Sequence, residues 1–275
     1  MPGFLSPKEI ANAMIGMGKA KSNLSISRML LLGILAGAFI GIGSQLAVMV
    51  TFDMQKYLGT GFSRFIFGSV FSMGLMLIVI AGGELFTGNN LILIGVLSRE
   101  VSLKKMIRSW FWVYLANFLG SLLLVWLIFE SGLWKANNFM AGAEALNIAN
   151  VKVNLSWCEA FTRGIGCNWL VCLAVWLAVA SKDITGKILG IYFPIMAFVA
   201  LGFEHCIANM FFIPMGLLLK NDIDILTISG LAGRLSNLTL KGFFVNNLIP
   251  VTLGNIIGGS FFVAAIYWLI YLRKK

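Results

Sequence analysis

Six stretches of the chain, about 28–50, 65–97, 106–129, 156–180, 187–219 and 245–271, are almost wholly apolar. Crossing a bilayer takes roughly 20 mostly apolar residues per helix, so each is long enough. The second and fifth are too long for one simple crossing. Hydrophobic residues make up 59% of the chain and charged ones 12%, where soluble domains carry about 25% charged residues. A water-soluble core would leave too much apolar surface outside. Lipid offers backbone polar groups no partner, so spanning segments must be helices or closed barrels. The reading is one all-α membrane domain over 1–275, with no separate soluble domain.

The N-terminus carries a helix start rather than a cleaved signal peptide. Ser6, Pro7 and Glu9 fit an N-cap, a first helical position and a capping box. Ile10, Met14 and Met17 follow at helical spacing. Residues 1–22 are therefore read as a cytoplasmic segment whose amphipathic helix lies on the membrane surface. Lysines and arginines number thirteen on the side of the termini and seven on the other, Lys274 and Lys275 among the thirteen. Short-loop cations stay in the cytoplasm, which puts both termini there, in a multi-pass protein of the plasma membrane. The net charge of +10 is then a topology signal. Its scatter over loops excludes a nucleic-acid partner. Cys158, Cys167, Cys172 and Cys206 fall inside the spans without CxxC spacing or a histidine cluster, so they read as small packing residues. No metal and no cofactor are expected.

Inside the second window stands A-G-G-E-L-F-T-G-N-N, residues 81–90, a helix-breaking sequence with a glutamate at membrane depth. Gly82-Gly-Glu84-Leu-Phe-Thr-Gly-Asn89 has a counterpart in the fifth window, Gly202-Phe-Glu204-His-Cys-Ile-Ala-Asn209; both fit G-x-E-x-x-x-x-N. The first and fourth windows align more loosely, Gly41-Ile-Gly-Ser-Gln-Leu-Ala-Val48 against Gly164-Ile-Gly-Cys-Asn-Trp-Leu-Val171. Two three-helix repeats follow, over 28–130 and 155–272, inverted because each holds an odd number of spans. Inverted repeats with broken helices build a transport path at the bilayer midplane. Glu84 and Glu204 are expected to hold the breaks by accepting free N–H groups, and Asn89 and Asn209 to cap the second half-helices. The glycines serve close helix packing, the breaks, or both. Arg163, within the fourth window, lines a vestibule or pairs with Glu159; the i,i+4 spacing favours the pair.

A-G-G-E-L-F-T-G-N-N, C-N-W-L-V-C-L-A-V-W at 167–176 and G-F-E-H-C-I-A-N-M-F-F-I-P-M-G at 202–216 together resemble the formate/nitrite transporter family, over nearly the whole chain. The resemblance implies a homopentamer in the lipid bilayer. Each protomer would have an aquaporin-like fold of six transmembrane helices as two inverted three-helix repeats, with helices 2 and 5 broken. It implies small monovalent anions as substrates: formate, nitrite, hydrosulfide, lactate. Carried onto matching positions, His205 is the central histidine, Thr87 the pore threonine, Lys152 the pore lysine and Asn168 the pore asparagine. Phe71, Leu75, Leu85, Phe86, Val171 and Phe198 are the constriction residues.

Read on their own, two of these residues have plainer explanations. A lone histidine in a membrane is commonly a packed one, although a break beside Glu204 favours function. Lys152, just before the fourth span, reads as a snorkelling lysine; with the resemblance it becomes an unpaired charge that gathers anions. The expected activity is a channel for weak-acid anions, formate above nitrite or hydrosulfide, with proton coupling through His205: the histidine protonates the anion, and the neutral acid crosses the apolar slit. An intramembrane hydrolase using Ser44 or Thr87 with His205 lacks an orienting acid, so the chain reads as no enzyme. A neutral-solute channel of the aquaporin type would want an N-P-A pair, which the breaks do not have.

Overall fold

The structure, a computed structural model, describes residues 3–273. Their regular structure is all helical, apart from an isolated antiparallel bridge between Phe4 and Ser181. Five helices are long and apolar enough to cross a membrane: α2 (Ile26–Thr51), α3 (Met54–Gly82), α5 (Leu103–Glu130), α7 (Trp157–Ala180) and α11 (Gly242–Tyr271). Three apolar ones are shorter: α4 (Gly88–Leu97), α8 (Ile184–Ala200) and α9 (Cys206–Leu219). The amphipathic α1 (Pro7–Ser22) precedes them, and α6 (Met140–Val153) and α10 (Ile223–Ser229) lie in the connections. Lys274 and Lys275, counted with the termini above, lie outside the described residues.

Helix α1 starts as its sequence dictates. The Ser6 N–H donates to Glu9 Oε2 at 2.7 Å, closing the capping box under Pro7. Its apolar face does not lie free for lipid, however. Ile10, Ala11 and Met14 are buried against Leu91 and Ile94 of α4, Trp176 of α7 and Val263 of α11. Each such large side chain contributes about 1.5–3 kcal/mol when fully buried. The helix is a docked part of the bundle, and the surface-lying reading is corrected accordingly.

Two close helix pairs form the frame, α2 with α5 and α7 with α11. A Cβ on Gly37 would overlap the Asn117 carbonyl, and one on Gly120 the Ile34 carbonyl. In the other pair Gly254 meets Phe161 and Gly258 meets Ile165 in the same way. Small residues let helix backbones approach this closely where lipid gives no hydrophobic drive. These contacts also set the register between the pairs: Gly33 and Gly164 each offer a carbonyl to an asparagine, Asn117 and Asn255. Gly164 thus matches Gly33, not Gly41, which corrects the loose alignment read from sequence. Glycines recur along both helices, so several offsets score alike.

Helical conformation stops at Gly82 and resumes at Gly88; it stops again after Ala200 and resumes at Cys206. Gly82 has φ +106° and Gly202 φ +76°, and a Cβ at either would meet nothing within 4 Å. Both glycines are there for the left-handed backbone rather than for packing.

Candidate functional site

Each non-helical segment is fastened by the same three devices. The first is an asparagine on the facing long helix. Asn117 Oδ1 accepts the Phe86 N–H at 2.9 Å, and its amide donates to the Gly33 and Glu84 carbonyls, both at 2.8 Å. Asn255 does likewise for the Cys206 N–H (2.9 Å) and the Gly164 and Glu204 carbonyls (2.8 and 2.9 Å). The second is a backbone bond to the opening helix of each half: Glu84 N–H to Leu32 O at 3.1 Å, Glu204 N–H to Arg163 O at 3.3 Å.

The third is a lysine–glutamate–asparagine cluster, buried at the glutamate and asparagine and part-buried at the lysine. Lys21 Nζ donates to Glu84 Oε1 at 2.8 Å and to Asn89 Oδ1 at 3.1 Å, while Asn89 Nδ2 donates to Glu84 Oε2 at 2.8 Å. In the second half Lys152 Nζ donates to Glu204 Oε1 at 2.8 Å, and Asn209 Nδ2 to Glu204 Oε2 at 2.7 Å. Asn247 adds a bridge from Asn209 to the Lys152 carbonyl.

Several sequence readings change here. Glu84 and Glu204 take lysine and amide donors, not backbone N–H groups, because Asn117 and Asn255 already hold the peptide groups. Asn89 and Asn209 do not cap helices; they sit within the first turn of α4 and α9 and donate to the glutamates. Lys152 is not an unpaired charge: it ends α6 and is ion-paired with Glu204. The pairing of Arg163 with Glu159 is weak, a single 3.7 Å approach between part-exposed groups. Cys158 is exposed, whereas the other three cysteines are buried. Lys21, Asn117, Asn247 and Asn255 were missed. The asparagines had a signal in N-F-L-G at 117–120 and N-I-I-G at 255–258; Lys21 had none, looking like any loop lysine.

The two segments meet at Thr87 and His205. Thr87 Oγ1 and His205 Nε2 are 3.0 Å apart, and both residues are buried. His205 is also the N-cap of α9: its Nδ1 accepts the Ala208 N–H at 3.1 Å. With Nδ1 used as acceptor, the neutral ring carries its hydrogen on Nε2. Nε2–H therefore donates towards the Thr87 hydroxyl, whose own hydrogen is left to turn elsewhere.

A cavity of about 500 Å³ ends on His205. Thr51, the last residue of α2, lines it, so it opens at the end of α2 remote from α1. Arg64, Phe71, Lys152, Arg163, Phe198 and Glu204 are also on its wall. Phe71 and Phe198 meet edge to face at 5.9 Å between centroids, and Phe198 lies 6.0 Å from the His205 ring. Among the expected constriction residues these two reach the cavity. Leu75, Leu85 and Val171 are buried away from its wall. Phe86 packs edge-on against Tyr114 (4.8 Å) and Trp110 (5.9 Å) and faces an apolar groove between α5 and α11. Asn168 is not on the wall either. It is fully buried, and its amide donates to Thr87 O, Asn90 Oδ1 and Asn255 O. In this structure it braces the first segment from behind. No grouping of side chains suited to a metal occurs among the described residues.

The sequence matches a family model described as formate/nitrite transporter over residues 8–269. It is 43% identical over 98% of both chains to a probable formate transporter of Methanothermobacter thermautotrophicus. Identity to the formate channel FocA of Escherichia coli (strain K12) is 37%, over 99% of this chain and 96% of that one. A solved pentameric formate channel with formate bound superposes with a TM-score of 0.80 at 38% identity, covering 90% of this chain and 98% of that one.

Proposed function

The chain belongs to the formate/nitrite transporter family, a family of transporters and not of enzymes, and from that premise we propose that it conducts small monovalent weak-acid anions across the membrane, formate first among them. The observation that carries this reading is the 3.0 Å approach of Thr87 to His205 at the end of a cavity walled by cations and phenylalanines. An anion there finds hydrogen-bond donors in place of its water. The proposed assembly is a pentamer, as in the formate-bound channel it resembles.

The proposed protomer has six crossings in two inverted halves. The second crossing is completed by α3 and α4 together, the fifth by α8 and α9, each pair broken at its glutamate. The matched contacts of Asn117 with Asn255 and of Lys21 with Lys152 support this. Both termini lie on the cytoplasmic side of the plasma membrane, and the cavity opens outward.

Proton coupling is part of the proposal, because a bare anion meets a large desolvation cost in an apolar slit, ~20 kcal/mol for the idealised ion. The capping geometry bears on how His205 takes part. Giving up Nε2–H from a neutral ring would leave an imidazolate. A relay would need the cationic ring, whose Nδ1–H would then face the Ala208 N–H at the positive end of α9. This opposes the relay read from the sequence. We take His205 to stay neutral and to hold the anion by Nε2–H opposite Thr87, while the proton arrives from water in the cavity.

Flux in proteoliposomes of formate, nitrite, hydrosulfide and lactate, with glycerol as the neutral control, tests the reading. Proton-linked flux of at least one of these anions above glycerol is expected; glycerol flux without anion flux would overturn it.

A further inference from the structure

The cations on the cavity wall are not alike. Lys152 is spent on Glu204 at 2.8 Å, and its ammonium also sits 5.4 Å from the Phe212 ring. The Arg163 guanidinium, by contrast, makes no hydrogen bond among the described residues. Its one ionic neighbour, Glu159, stands 3.7 Å away. The Ser156 N–H and hydroxyl hold the other oxygen of that carboxylate, Oε2, at 2.9 and 2.7 Å, and fix it in the capping box, with Oε1 left at 3.7 Å from Arg163. Meanwhile the backbone of Arg163 is pinned to the second break, since its carbonyl accepts the Glu204 N–H. A planar fork of donors thus stands on the cavity wall with one distant ionic neighbour and no hydrogen-bonded protein partner. The other charges on that wall are Arg64, from α3, and Glu144, from α6, the latter's carboxyl pushed above the usual carboxylate range by burial.

A guanidinium offers two parallel N–H groups matched to two oxygens on one atom. A lysine ammonium offers a point charge instead. Formate and other small carboxylates present such an oxygen pair, as does nitrite; hydrosulfide presents one atom and can take one donor of the fork. We propose that Arg163 is a capture subsite for two-oxygen anions, chiefly small monocarboxylates, on the way to His205 and Thr87. The subsite rests on the reading of the cavity as an anion path, and it adds to that reading a preference by anion shape.

The test compares wild type with Arg163→Lys, which keeps the charge, and Arg163→Gln, which does not. In proteoliposomes the half-saturating formate concentration should rise about tenfold in Arg163→Lys, the size of one lost charge-assisted hydrogen bond, with maximal flux retained. Hydrosulfide should respond to Arg163→Gln alone. Formate kinetics unchanged in Arg163→Lys, or formate and hydrosulfide shifting together in both variants, would overturn the subsite. Line broadening of 13C-formate by the purified protein reads binding apart from transport. Broadening by wild type that weakens in Arg163→Lys supports the subsite; equal broadening, or none by wild type, overturns it. A wild type that broadens formate but carries no anion would overturn the channel reading and leave the subsite standing.

Discussion

Lys152 reaches back from the end of α6 to Glu204, 2.8 Å away, with both side chains nearly buried. The pair ties the connection between the halves to the second break. Removing one partner of a buried ion pair leaves an uncompensated charge, at about 3–5 kcal/mol. Lys152→Met should therefore lower the thermal stability of the purified protein, and Lys152→Met with Glu204→Gln should restore much of it. A single variant as stable as wild type would return Lys152 to the surface lysines.

Asn117 and Asn255 are predicted to act as equivalent clamps. Replacing either by Leu keeps the branched shape and strands one N–H and one carbonyl of the non-helical segment, each worth about 1–3 kcal/mol when buried and unmet. Hydrogen exchange should rise over 83–90 in Asn117→Leu and over 203–209 in Asn255→Leu, each in its own half. Unchanged protection would mean other groups hold the segments.

Gly202 tests the backbone. At φ +76° and with open space where a Cβ would stand, Ala should cost about 1–2 kcal/mol, the left-handed penalty of an L-residue. Asn, which tolerates that region, should cost less. Thermal denaturation of the two variants checks this; Ala and Asn equally harmful would point to sterics instead.

The start of α1 should respond to acid. Hydrogen bonds from Ser6 hold the Glu9 carboxyl below its usual range. A depressed carboxyl adds stability above its unfolded pKa and loses it as pH falls through the folded value. Amide protection at Ser6 and at residues 8–10, corrected for intrinsic exchange, should fall as pH drops below the ordinary carboxylate range, and should not do so in Glu9→Gln. A matching fall in that variant would assign the effect to something else.

What could be read from the chain alone follows from how local each feature is. The G-x-E-x-x-x-x-N pair was legible because both breaks need a positive-φ glycine and the same glutamate–asparagine bond five residues apart. His205 as an N-cap was not, since an imidazole is an uncommon cap. The lysines were misjudged because their partners are distant: Lys21 meets Glu84 and Lys152 meets Glu204 only after the halves have folded. Helix α6 went unseen, being short and opening on Phe139 at φ +67° with no polar cap. The side of each constriction residue depends on rotations about the helices that apolar windows do not encode.

On the proposed reading, the two breaks bring Thr87 and a neutral His205 together to hold the anion. His205→Asn tests it most directly: Asn can still cap α9 and still donate a hydrogen bond, but cannot carry a proton near neutral pH. The measurement is formate uptake with its accompanying proton, in liposomes under an imposed pH gradient. His205→Asn should retain proton-coupled uptake, changed in rate but not in coupling. A folded His205→Asn protein that has lost proton-coupled uptake would contradict it and restore the histidine as proton relay.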